Sequence, residues 1–142
     1  IVADYSAIKT GIKTRLDTLS DLVATFDTVP DTVYPPVAVV VPRSPEVEYN
    51  VSMGNSAHNS MLQRFNFDVL ILAGRFNSEY SQDALDAYVS GTGSVYNAIA
   101  ADRQLGGTVS DCRITRMLDY GQVILGEGEY LAARFELEVY AV

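Results

Sequence analysis

Residues 81–107 read SQDALDAYVSGTGSVYNAIAADRQLGG. Ser81 offers a helix N-cap with Asp83 in the first turn, where the helix dipole favours an acid. Ala84, Leu85, Tyr88 and Val89 then recur at helical spacing as a buried stripe that closes at Gly91. Ser94 repeats the arrangement for Val95, Ala98 and Ile99, and Gly106 with Gly107 marks the stop. Two short amphipathic helices set between strand-like segments specify an α+β class. The expected architecture is a mixed or antiparallel β-sheet with about three α-helices packed on it.

Downstream, 111–120 is strand-like, with Cys112, Ile114 and Leu118 sharing a face, and the Gly-Glu-Gly at 126–128 turns the chain. The last strand carries the cleanest alternation: Leu131, Ala133, Phe135, Leu137, Val139 and Ala141 face one way, and Arg134, Glu136, Glu138 and Tyr140 the other. A one-residue slip would expose the whole apolar row, at about 1.5–3 kcal/mol for each large side chain. Its register in the sheet is therefore strongly specified.

Upstream, Tyr5, Ile8, Ile12, Leu16 and Leu19 recur at three and four residues, so a helix follows Asp4, its candidate N-cap. A short strand is expected over 22–26, and the Pro-rich stretch 27–36 cannot continue a helix. Residues 37–41 read as a buried strand closed by Pro42 and Pro45, and 43–61, poor in apolar anchors, as a long loop or β-hairpin arm. From Arg64, one face carries Phe65, Phe67, Val69, Ile71 and Ala73, while the other changes from Arg64, Asn66 and Asp68 to Leu70 and Leu72. A helix is expected to cover the second half of that strand.

With 142 residues the chain suits one domain, 1–142, large enough for a core of its own. The longest apolar runs, 37–41 and 69–73, are far short of the roughly 20 residues of a membrane-spanning helix, so no membrane partner is expected. The N-terminal residues show neither a basic nor an apolar signal region, and a single Cys112 cannot form an internal disulfide, which together suit a reducing cytoplasm. The net charge of −8 is uneven, with eight acids and six bases over 1–77 and ten acids and four bases over 78–142. Stable nucleic-acid binding rests on Lys and Arg against phosphates, and no basic run is present for it. An acidic surface instead repels a passing polyanion.

Catalytic chemistry finds little support. His58 is the only histidine and lies in the polar 43–61 region, away from a plausible nucleophile. Cys112, inside a strand pattern, reads as a small buried apolar residue. Neither the Cys and His clusters of a zinc site nor a complete dinucleotide fingerprint is present, since Tyr96 stands where the third glycine of Gly91-Thr92-Gly93 would fall. Asp83 and Asp86 read as a solvated helix face. The expectation is a non-enzyme without cofactor or metal.

The order of elements resembles that of the siphophage tail terminator, or tail completion, proteins, above all those of phages of actinobacteria. The similarity rests on an N-terminal helix ending in a short strand, VPDTVYPPVAVVVP from Val29, QDALDAYVSGTGSV from Gln82, AADRQLGG from Ala100 and YLAARFELEVYA from Tyr130. It runs nearly the full length, with no motif over 46–61. Such a resemblance implies a virion protein assembled in the host cytoplasm. It would form a ring, typically a homo-hexamer, that caps the tail tube, stops tube polymerisation and presents a head-tail docking surface. Its implied partners are the major tail tube protein, the connector or neck protein and the end of the tape measure protein, with DNA passing through unbound. Arg43, Glu46, Glu48, Tyr49, Met53, His58 and Arg64 are the candidate interface residues, because Tyr, Met and Arg are enriched where surfaces meet. Glu79, Asp83 and Asp86 are candidate lumen-facing acids. Another neck protein of similar build, or a small ligand-binding domain or enzyme using His58, are the rival readings.

Overall fold

The computed structural model describes residues 4–19, 22, 24–26, 34–49, 62–76, 78–125 and 128–141. In chain order the elements are α1 (Tyr5–Leu16), β1 (Ala24–Phe26), β2 (Val37–Glu48), β3 (Gln63–Arg75), α2 (Glu79–Val89), α3 (Val95–Ala100), a 3-10 turn (Leu105–Gly107), β4 (Asp111–Leu125) and β5 (Gly128–Ala141). The strands form one five-stranded sheet in the order β1-β2-β3-β5-β4. β1 runs parallel to β2 and the other pairs are antiparallel. This is the α+β fold with a mixed sheet and three helices that the sequence pattern specifies.

All three helices lie on the same sheet face. Ile8, Ile12 and Leu16 of α1, Leu85 and Tyr88 of α2, and Val95, Ala98 and Ile99 of α3 join one core with Phe65, Phe67, Val69 and Ile71 of β3. The apolar row of β5 is buried in that core from Leu131 to Ala141. Asp4 caps α1 through Ser6 N–H at 3.0 Å, and Ser94 caps α3 through Asn97 N–H at 3.2 Å. Arg15 of α1 donates its Nε–H to the Ala98 carbonyl at 3.0 Å, fastening α1 to the end of α3.

Four details depart from the sequence expectation. First, α2 starts at Glu79 after Ser78, and Ser81 lies inside the helix, 1% exposed, against Gly74 of β3. Second, β4 continues past Tyr120 to Leu125, which pairs with Gly128; the intervening 126–127 fall outside the described residues. Third, among the described residues no helix covers Leu70 and Leu72. They belong to a second cluster on the helix-free face with Val37, Val39 and Ala132, flanked by Ala24, Phe26, Val41, Val123 and Tyr130.

Fourth, the first part of the 43–61 arm is strand. β2 runs through Pro42 and Pro45 to Glu48, with Val47 opposite Phe65 and Glu48 opposite Arg64. Proline cannot donate to a ladder; Pro42, opposite Phe67, is the last residue in regular register, and Pro45 lies in the break that follows, where residues 43–46 face the single residue Asn66. The Asn66 amide closes this bulge by donating to the Pro45 carbonyl at 2.7 Å and accepting from Arg43 at 3.4 Å. Residues 50–61 lie outside the described residues.

Gly74 marks the closest approach of α2 to β3. A Cβ there would stand 2.2 Å from Ser81 Oγ and 3.2 Å from Ser81 Cβ. Gly74→Ala is expected to cost about 1–3 kcal/mol, as overpacking does. Ser81→Ala in the same chain should return part of that loss, and urea unfolding of the single and double variants measures both.

Candidate interaction surfaces

The helix-free sheet face changes character along its strands. Towards the start of β2 it carries the small apolar cluster; beyond Val41 it becomes a lattice of charged side chains ordered by strand register. Asp68 of β3 faces Glu136 of β5, which faces Arg116 of β4. Asn66 faces Glu138, which faces Arg113, and Arg64 faces Tyr140. Between β5 and β4 opposite charges meet, Glu136 with Arg116 and Glu138 with Arg113, the arrangement in which cross-strand pairs stabilise a sheet, whereas Asp68 and Glu136 are like charges directly opposite and depend on the guanidiniums around them.

Arg43, brought over this face by the bulge, bridges the two central acids: its Nε lies 3.3 Å from Asp68 Oδ1 and its Nη1 3.6 Å from Glu136 Oε1. Arg116 holds Glu136 by donating from Nε and Nη2 to its two carboxylate oxygens. Arg134 reaches Asp68 at 3.5 Å and also pairs with Asp119. Asp119 has φ +56° within an irregular stretch of β4, and this turn of the backbone brings its carboxylate to Arg134. One row further, Arg64 donates to Glu48 at 2.8 Å and to the Tyr140 hydroxyl at 3.3 Å, and its guanidinium lies 5.5 Å from the Tyr140 ring centre.

Asp68 and Glu136 are respectively 8% and 7% exposed, so the lattice is partly withdrawn from water. The environments act on them in opposite directions. Burial raises the Asp68 carboxyl above its ordinary value, outweighing Arg134 and Arg43. The Arg116 hydrogen bond holds Glu136 below the ordinary glutamate value. A lattice whose carboxylates each have a guanidinium within ion-pair distance is suited to holding a surface shape.

Of the residues the sequence singles out as interface candidates, Arg43, Glu48 and Arg64 come together in this lattice. Glu46 is exposed on the bulge, near enough to the Tyr5 phenol to raise it further, after burial. Tyr49 is 64% exposed just beyond β2. Met53 and His58 lie outside the described residues. Glu79, Asp83 and Asp86 are exposed along one side of α2, and Asp86 accepts a hydrogen bond from the Tyr120 hydroxyl at 2.8 Å. Cys112 is buried, which pushes its thiol up to about 12.

Sequence reasoning missed the partners that make the lattice: Asn66, Asp68, Arg116, Arg134 and Glu136. Their signal is present as polar alternation in β3 and β5, but it acquires meaning only when the strands are aligned. It also missed a cleft of about 640 Å3 between the start of β2, the end of β3 and the start of α2, which Tyr34, Pro36, Arg75, Tyr80, Glu129 and Tyr130 help to line. Among the described residues no group of three or more His, Cys, Asp or Glu is placed to hold a metal ion, and no helix is long and apolar enough to cross a membrane.

No protein-family model matches this sequence. A search of curated proteins likewise returns no match.

Proposed function

We propose that this chain is a structural subunit of a phage virion that assembles into a ring, in the manner of tail terminator proteins. The ring caps the tail tube, ends its polymerisation and offers a docking surface to the connector. The observation that carries this reading is the pair of unlike edge strands that bound the sheet among the described residues: a three-residue β1 at one side and a 15-residue β4 at the other. Copies set side by side through two different edges make a heterologous contact, and such contacts form a ring when the rotation from copy to copy closes.

The similarity of element order to tail terminators supplies the partner, and the ion-paired face supplies a second surface unlike the edges. A subunit with one face complementary to the tube and another unlike it stops a stack that otherwise grows without limit. The net charge of −8 suits a bore through which DNA passes without sticking. Mixing the purified chain with purified tail tubes and, separately, with connectors tests the proposal under the electron microscope. Rings seated at tube ends are expected. A chain that stays monomeric and decorates neither tube ends nor connectors contradicts the reading, and rings found on connectors alone move it to the neck.

A further inference from the structure

Charge on the helical layer is sorted by side. Lys9 and Lys13, the only lysines of the chain, stand one turn apart on α1. Gly11 and Arg15 form the ridge of α1 that meets Leu105 and the Ala98 carbonyl of α3. Helical spacing at 3.6 residues per turn puts Lys9 and Lys13 on the opposite flank, away from α3. Since α3 packs over β4, that flank looks towards β1. Lys9 lies 5.9 Å from the Tyr5 ring centre, and neither lysine makes an ion pair among the described residues.

The acids of α2 look the other way. Asp86 accepts from Tyr120, a residue of the edge strand β4, and Asp83 is close enough to add to the electrostatic shift of that same phenol. Glu79 lies one turn before Asp83 along the same side of the helix. Neither Glu79 nor Asp83 has an ion-pair partner among the described residues, whereas six of the eight arginines are already paired. Among the described residues the unpaired lysines of α1 thus face the β1 edge and the unpaired acids of α2 the β4 edge, both on the helical side of the sheet. Both rows repeat at about the 5.4 Å pitch of a helix.

We infer that these rows are the two halves of the seam between neighbouring copies: Lys9 and Lys13 of one copy meet Asp83 and Asp86 of the next, with exposed Tyr120 beside the acids as the apolar contact. The inference rests on the ring reading above and names its contact. The occupant is a second copy of this chain because one protomer carries both complementary rows on opposite sides. An isologous pairing would set lysine against lysine or acid against acid. The same acids are thereby assigned to the seam instead of the bore lining.

Charge exchange tests this directly. Lys9→Glu with Lys13→Glu gives a chain acidic on both sides, and Asp83→Lys with Asp86→Lys gives one basic on both. Each alone should need about 10-fold or more protein to assemble, because like charges then meet at every seam. An equimolar mixture should assemble as alternating rings near the native concentration, as should a chain carrying all four substitutions. Sedimentation velocity at low salt reads the assembly state, and far-UV circular dichroism confirms that each variant is folded. Native rings that are insensitive to both reversals overturn the seam while leaving the ring reading intact, and so do folded variants that fail to complement one another. A native chain that forms no rings, with or without tubes, overturns both.

Discussion

Phe67→Ala should destabilise the protein by about 3–5 kcal/mol, the range for removing a fully buried aromatic ring without collapse of its site. Phe67 is 0% exposed and lies at the centre of the helical face of the sheet. It faces Leu137 on one side and Pro42 on the other, and its ring meets Tyr5 of α1 edge-on at 5.5 Å between centroids. The surrounding groups belong to three strands and a helix, all held by their own ladders and caps, so they cannot close over the void. Urea unfolding should show the midpoint falling with little change in slope. Gln122→Ala, on an exposed position of β4, should stay within about 0.5 kcal/mol and serves as the reference. A Phe67→Ala cost of that same small size would mean that the helices do not pack on this face.

The second large effect is expected from the other side of the sheet. Glu136→Ala removes the group that Arg116 and Arg43 share, while Asp68 directly opposite keeps its charge. The expected cost is about 2–4 kcal/mol, between the small value of an exposed pair and the larger one of a buried pair, because the Glu136 side chain is 9% accessible and Arg116 is 64% accessible. Titration sharpens the test. A carboxyl held below its ordinary value stabilises the fold above the unfolded glutamate value of about 4.3, and that contribution is lost as pH falls below it towards the folded value. Asp68 has the opposite sign: its raised value makes the carboxylate a cost near neutral pH, which protonation relieves as pH falls. Glu136→Gln should therefore flatten the acid limb of the stability curve, and Asp68→Asn should steepen it. Identical acid limbs in the two variants would contradict the asymmetry of the lattice.

The half of this molecule that local pattern governs was legible in its residues. The alternation from Leu131 to Ala141, the Asp4 and Ser94 caps and the α1 stripe each depend on neighbours within a few positions, and each appears in the fold. The departures occur where a tertiary contact outweighs a local signal. Ser81 is a good capping residue, yet it serves better as a small side chain that lets α2 approach Gly74. Pro42 and Pro45 end strands in general, but here Asn66 supplies the hydrogen bonds that a bulge requires. The charged lattice was the least accessible part. Arg134, Glu136 and Glu138 look like a solvated face until the registers of β3 and β4 set Asp68, Asn66, Arg116 and Arg113 beside them.

The functional proposal rests on capping, and growth of the tail tube measures capping most directly. Purified tube subunits elongating from preformed tubes should stop when this chain is added at a few copies per tube end, with each arrested end carrying a ring in electron micrographs. Continued elongation at the same rate under a large excess of the chain, with bare tube ends, would contradict the account.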